Sequence, residues 1–188
     1  IRDGDGYQSP IGTVAGPKHH RPRAHRRGRT GGPSCRAGPC GPRCAGRRLA
    51  VALAAKGLRV GLVDADIFGF SIPAQLGLTD KPTRLDEMIL PPVAFGVKVI
   101  SIGMFLDDNK PVAWRGPMLH RAIEQFLCDV YWGDLDFLLI DMPPGTGDIH
   151  LTLMQTVPVT GVVVVTTPQD VALADAKKGI AMFGQAQI

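Results

Sequence analysis

The chain has 188 residues, of which 45% are apolar, enough for one domain core and too little for two. No apolar run approaches the roughly 18 residues that a membrane-spanning helix needs, so no such span and no membrane partner is predicted. The formal charge of +4 averages two unlike segments. Residues 1–48 hold 11 Lys/Arg against 2 Asp/Glu, whereas residues 49–188 hold 10 against 15, so a basic arm joins an acidic body.

The arm contains 16 Gly or Pro and only three of Leu, Ile, Val or Phe, namely Ile1, Ile11 and Val14. So little apolar surface cannot offset the entropy of ordering a chain, which predicts that residues 1–48 are disordered and dispensable. Gly, Pro, Arg and Ala dominate it, the residues that GC-rich DNA encodes in almost any frame, and a frame-shifted translation is expected here. Cys35, Cys40 and Cys44 fall within ten residues of one another, but their spacing matches no common ligand pattern and predicts no metal site. Free thiols in this number favour a reducing, cytoplasmic compartment. Arg21, Arg23, Arg26, Arg27 and Arg29 could meet phosphates without sequence preference, yet only Tyr7 is available for stacking, so nucleic acid is not an expected partner. Arg47-Arg48 before Leu49 to Ala55 superficially suggests an export signal. The apolar run is too short, lies nearly fifty residues into the chain and is followed by Lys56 and Arg59.

From Leu49 onward short apolar runs alternate with helical patterns. Leu49 to Ala55 reads as the end of a helix stopped by Gly57, and Leu58 to Val63 as a buried parallel strand ending at Asp64. Val97 to Ile102 is a second strand. Met118, Ala122, Ile123, Phe126, Leu127 and Val130 recur at helical spacing on the segment 117–130, with Cys128 read as a packing residue. Phe137 to Ile140 and Gly161 to Thr166 are further strands, apolar on both faces; Ile149 to Val157 and Val171 to Phe183 are helices. His120 and His150 sit on these helices and read as partly exposed packing residues. The rhythm predicts a three-layer α/β domain with a mainly parallel sheet, whose ligands lie at the carboxyl ends of strands.

Two of those ends are acidic. One strand runs into Asp64-Ala65-Asp66 and another into Asp141-Met142-Pro143-Pro144-Gly145-Thr146-Gly147-Asp148. A carboxylate closing an apolar strand can hold the water shell of Mg²⁺, which prefers few protein ligands beside substrate phosphates. Gly145, Thr146 and Gly147, stiffened by two prolines, offer backbone N–H groups to a phosphate. Taken singly, Asp141 could equally be the plain end of a strand and the glycines a plain turn.

Four blocks in order are more specific. Val63-Asp64-Ala65-Asp66-Ile67-Phe68-Gly69-Phe70-Ser71-Ile72-Pro73, Pro111-Val112-Ala113-Trp114-Arg115-Gly116-Pro117-Met118, Trp132-Gly133-Asp134-Leu135-Asp136 and Asp141 to Asp148 together resemble the Mrp-type (ApbC-like) iron–sulfur cluster carrier ATPases. These are deviant-Walker P-loop NTPases related to MinD and ParA. The resemblance spans about residues 49–180 and implies a P-loop NTPase fold, ATP and Mg²⁺ as cofactors, and hydrolysis of ATP by in-line transfer to water. It further implies a homodimer, a 4Fe-4S cluster and iron–sulfur apoproteins as partners. By the same resemblance Asp64 assists the Mg²⁺ shell, Asp66 positions the attacking water, Asp141 is the Walker-B carboxylate, and Gly145 with Thr146 contacts the γ-phosphate. Trp114 and Arg115 would serve a subunit contact.

The chain departs from that family twice. The family's first strand and its phosphate loop, GKGGVGK[ST], should precede the helix ending at Ala55. There the chain reads Thr30-Gly31-Gly32-Pro33-Ser34-Cys35-Arg36-Ala37-Gly38-Pro39-Cys40-Gly41-Pro42-Arg43, and Gly-Lys-Ser/Thr occurs nowhere. The family's Cys-x-x-Cys, which holds the cluster between subunits, is also missing, so the domain at 49–188 is expected to be partial and the chain a fragment. An ATP-hydrolysing carrier impaired at its phosphate loop is the leading expectation. The alternatives are a catalytically dead dimerising module and a MinD- or ParA-like positioning ATPase.

Overall fold

The computed structural model describes residues 11–15, 44–66, 71–105, 116–143 and 148–188. In chain order these form β1 (Ile11–Ala15), α1 (Ala45–Ala55), β2 (Val60–Asp64), α2 (Ile72–Leu76), β3 (Thr83–Leu85), β4 (Met88–Leu90), β5 (Val93–Ala94) and β6 (Val97–Ser101). A 3₁₀ turn (Ile102–Phe105), α3 (Gly116–Cys128), β7 (Phe137–Asp141), α4 (Asp148–Thr156), β8 (Gly161–Val164) and α5 (Asp170–Gln185) follow. Six strands make one sheet in the order β5-β6-β2-β7-β1-β8, and β3 and β4 form a separate hairpin.

The centre of the sheet is parallel, with β2 between β6 and β7. Side chains alternate between its faces, and each face has its own core. Leu62, Val99 and Leu139 pack with Ala50 of α1 and with Ile72 and Leu76 of α2. Val63, Ile100 and Ile140 pack on the other side with Ile123 and Phe126 of α3 and Leu153 of α4. The result is the expected three-layer α/β arrangement with a mainly parallel sheet. Met118 departs from the predicted apolar stripe, being 48% exposed, and Cys128 is exposed rather than packed.

Two local devices place β2. α1 ends as its sequence predicts, with Gly57 at φ +84, its N–H donating to the Ala54 carbonyl and that of Leu58 to the Leu53 carbonyl. This left-handed closure favours glycine and turns the chain back onto the sheet. At the start of the strand, Arg59 clasps Asp136: its Nη2 lies 3.0 Å from Oδ1, and its backbone N–H and Nε both donate to Oδ2. The Arg59 carbonyl accepts in turn from the N–H groups of Asp136 and Phe137. That clasp pins the amino ends of β2 and β7 in register, and a slip of one residue would turn every side chain to the opposite face.

Gly61 shows how tightly this centre is packed. A Cβ there would lie 2.8 Å from Leu138 Cδ1 and 2.9 Å from both Leu135 Cδ1 and Trp132 Cε3. The indole cannot withdraw, because its Nε1–H donates to the Phe126 carbonyl at 2.8 Å. Gly61→Ala is therefore expected to destabilise the domain by about 1–3 kcal/mol, visible as a lowered thermal midpoint; an unchanged midpoint would show that the layer can give.

The amino-terminal segment holds a correction. β1 lies between β7 and β8, antiparallel to both, with Thr13 opposite Ile140 on one side and Val162 on the other. A strand therefore stands inside the segment expected to be without structure. The physical reason is local: Ile11, Thr13 and Val14 are β-branched and form the arm's one short β-prone run. Pairing on both sides satisfies backbone groups that an open β7 edge would leave bare. α1 likewise begins at Ala45, four residues before the boundary read from composition.

Candidate functional site

Three strands end side by side. Asp64, the last residue of β2, is in register with Asp141 of β7 and with Ser101 of β6, so a row of polar side chains closes three apolar strands at their carboxyl ends. Beyond it the Ala65 N–H donates to the Asp141 carbonyl at 2.9 Å, carrying the pairing one residue further and holding Asp66 next to the row. Sequence reasoning brought Asp64, Asp66 and Asp141 together, and the sheet does the same. It missed Ser101, which lies within the run read as the strand Val97 to Ile102, although, like the two aspartates, it is a polar residue directly after buried apolar ones.

The two strand-end carboxylates differ in their surroundings. Asp64 is 2% exposed and accepts three hydrogen bonds: from the Asp66 N–H on Oδ1 at 3.3 Å, and from the Ile72 N–H at 3.3 Å and Ser101 Oγ at 3.2 Å on Oδ2. Burial nevertheless outweighs these donors and pushes its carboxyl up to about 6. No hydrogen bond from the described residues reaches the Asp141 carboxylate, which burial first, and then the charges of Asp64 and Asp66, push up to about 7. Buried negative charge without a compensating cation is unfavourable, so the row is electrostatically suited to a cation.

The first turn of α1 stands directly over Asp141. A Cβ on Gly46 would lie 3.3 Å from the Asp141 Cγ and 3.4 and 3.5 Å from its carboxylate oxygens, so the helix backbone comes close to the carboxylate here and a side chain would press against it. Arg47, set aside above as part of an export signal, is folded into α1 and donates from Nη1 to the Gln75 carbonyl at 3.0 Å, tying α1 to α2. A helix thus begins beside the acidic end of the central strand, the position from which a preceding loop could present N–H groups to phosphates.

Among the described residues no three His, Cys, Asp or Glu side chains converge as a metal-chelating group. Mg²⁺ fits such a site all the same, because it keeps most of its waters and needs one or two carboxylates. Gly145 and Thr146, Trp114 and Arg115, the stretch 30–43 with Cys35 and Cys40, and the arginines of the arm at 21–29 lie outside the described residues. Neither Cys44 nor Cys128 is joined in a disulfide among the described residues. His120 is half-exposed and 3.1 Å from Glu124 on the same helix. His150 is buried, against the expectation of partial exposure, and its ring meets that of Phe183 edge-on. No helix among the described residues is long and apolar enough to cross a membrane.

Comparison with known proteins gives the chain's family. A family model described as ParA, the NUBPL iron-transfer P-loop NTPases, matches residues 35–188. The chain is 58% identical over 130 residues to an iron–sulfur cluster carrier protein of Mycobacterium tuberculosis (strain H37Rv), covering 69% of this chain and 34% of that one. To a protein of the same name in Escherichia coli K12 it is 54% identical over 142 residues, covering 74% and 38%. A nucleotide-binding protein of Archaeoglobus fulgidus, solved in complex with ADP, superposes with a TM-score of 0.64 at 41% identity, over 76% of this chain and 55% of that one. The chain spans about a third of the length of the curated relatives it matches. It belongs to the ParA family of NUBPL-type iron-transfer P-loop NTPases.

Proposed function

We propose that this chain carries the nucleotide-hydrolysing body of an iron–sulfur cluster carrier, with ATP bound at the carboxyl ends of β2 and β7. The observation that carries this reading is the juxtaposition of Asp64, Asp66 and Asp141 beneath the first turn of α1. Asp141 would hold the Mg²⁺ shell, with Asp64 assisting; the bound ion would neutralise phosphate charge. Asp66 orients the attacking water. Its backbone N–H is fixed to Asp64, which sets where its own carboxylate can reach. Gly145 and Thr146 are assigned to the γ-phosphate by family resemblance.

The cluster is cargo rather than a resident cofactor, passed to apoproteins by a homodimer that hydrolysis rearranges. The reading places the chain in the cytoplasm, whose reducing conditions suit cysteines outside any disulfide, as Cys44 and Cys128 are among the described residues. A dead module or a positioning ATPase is not favoured, since the relatives above are named as cluster carriers. Residues 30–43, with three prolines and no Gly-Lys-Ser/Thr, make this chain a weak binder as written.

The test therefore uses the chain with the family's phosphate loop placed before Cys44. Asp66→Ala should lower kcat for Mg-ATP hydrolysis by about 100-fold or more while leaving nucleotide affinity intact, because orienting water acts mainly in the transition state. Asp141→Ala should weaken Mg²⁺-dependent binding as well. Equal losses of binding in both variants would remove the separate roles.

A further inference from the structure

The Asp64 carboxylate receives donors from three places in the chain. Asp66 lies just past β2, Ile72 opens α2, and Ser101 ends β6. Asp66 and Ile72, six positions apart in the chain, therefore both donate to one carboxylate, Asp66 to Oδ1 and Ile72 to Oδ2. Both bonds survive only while the carboxyl plane keeps one orientation, and rotation about that terminal torsion is otherwise soft.

Ser101 supplies the restraint. It is 0% exposed, and its Oγ accepts from the Gly103 N–H at 3.2 Å while lying 3.2 Å from Asp64 Oδ2. With a lone pair engaged by Gly103, the hydroxyl proton is directed at Asp64, and the rigid parallel pairing of β6 with β2 fixes where that proton sits. We propose that Ser101 is a positioning residue: through Asp64 it clasps both ends of the segment that carries Asp66, and so holds Asp66 in place for its role. This deepens the reading of Asp66 as the water-orienting group and rests on it. It also explains why a serine stands at a fully buried position of this strand, beside the buried Val97, Val99 and Ile100, where a core role alone would be served by alanine or valine.

Amide hydrogen exchange on the full chain tests the clasp without requiring catalysis. In Ser101→Ala the Asp66 and Ile72 amides, neither of which bonds to Ser101 itself, should exchange about tenfold faster, the effect of losing roughly one hydrogen bond's restraint. Amides of Val99, Ile100 and Leu139 should keep their rates, and Ser101→Thr, which retains the hydroxyl, should restore the slow exchange. In an Asp64→Asn background Ser101→Ala should add nothing further, because the two groups act in series. Unchanged Asp66 and Ile72 exchange, a uniform acceleration through β2, β6 and β7, or additive effects with Asp64→Asn would each overturn the proposal.

Hydrolysis by the loop-bearing chain gives the second readout, with kcat lowered by Ser101→Ala and KM for nucleotide unchanged; a raised KM with kcat unchanged would count against the proposal. If the loop-bearing chain with native Ser101 hydrolyses nothing, the proposed function fails, and the exchange experiment still decides the clasp.

Discussion

In metal-free protein, Asp141→Asn is expected to raise the thermal midpoint at pH 8, and the gain should shrink as the pH falls toward 4. The Asp141 carboxyl stands at about 7 in the fold against 3.8 in a free chain. Between those values the unfolded chain has released its proton while the folded protein retains it, so stability declines with each rise in pH. The favourable contribution is complete below about pH 4 and is lost once pH passes about 7. Asp64, raised to about 6, acts in the same direction over a narrower window. Ionising Asp141 in place costs on the order of 4 kcal/mol, and at about 2–4 °C per kcal/mol for a domain of this size the midpoint should rise by roughly 10 °C. Asparagine keeps the shape and the backbone carbonyl that accepts from Ala65, so charge is the main change. Millimolar Mg²⁺ should raise the midpoint of the unmodified chain at pH 8 and leave that of the variant nearly unmoved. A lowered midpoint in the variant would contradict the electrostatic account of the site.

The parts of this fold that could be read from sequence are those with long, two-sided apolar patterns. Leu62-Val63 and Leu139-Ile140 each pair a residue for either face, and each run stops at an aspartate, which located both the central strands and the site. The structured parts that escaped are short. β3, β4 and β5 have three residues or fewer; the β3–β4 hairpin places Asp86 at φ 53 with no glycine to announce the turn, and in the β5–β6 turn Phe95 at φ 52 takes the left-handed position ahead of Gly96. β1 escaped because composition was averaged over 48 residues, diluting the run of five that pairs with β7 and β8. Ser101 escaped because serine ends strands for many reasons; only the register with Asp64 shows what it bonds.

The phosphate loop is where sequence and fold disagree most. The sheet, the acidic row and the first turn of α1 stand in the arrangement proposed to receive a nucleotide, with Gly46 admitting the helix to within contact of Asp141. The residues leading into that helix lack what a triphosphate requires. Pro33, Pro39 and Pro42 have no N–H to donate, and no lysine lies between Lys18 and Lys56 to meet the phosphates. Asp64, Asp66 and Asp141 repel phosphate unless a cation intervenes. A nest of N–H groups, a helix N-terminus and a lysine supply most of the affinity in such sites, so their restoration should tighten binding by at least about 100-fold, roughly 2.7 kcal/mol. Titration calorimetry with Mg-ATP is the direct measurement, run on the 188-residue chain and on the same chain with Gly-Lys-Gly-Gly-Val-Gly-Lys-Ser immediately before Cys44. No measurable heat is expected from the first and micromolar binding by the second; micromolar binding by the unmodified chain, or none by the loop-bearing one, would show that residues 30–43 are not what limits binding.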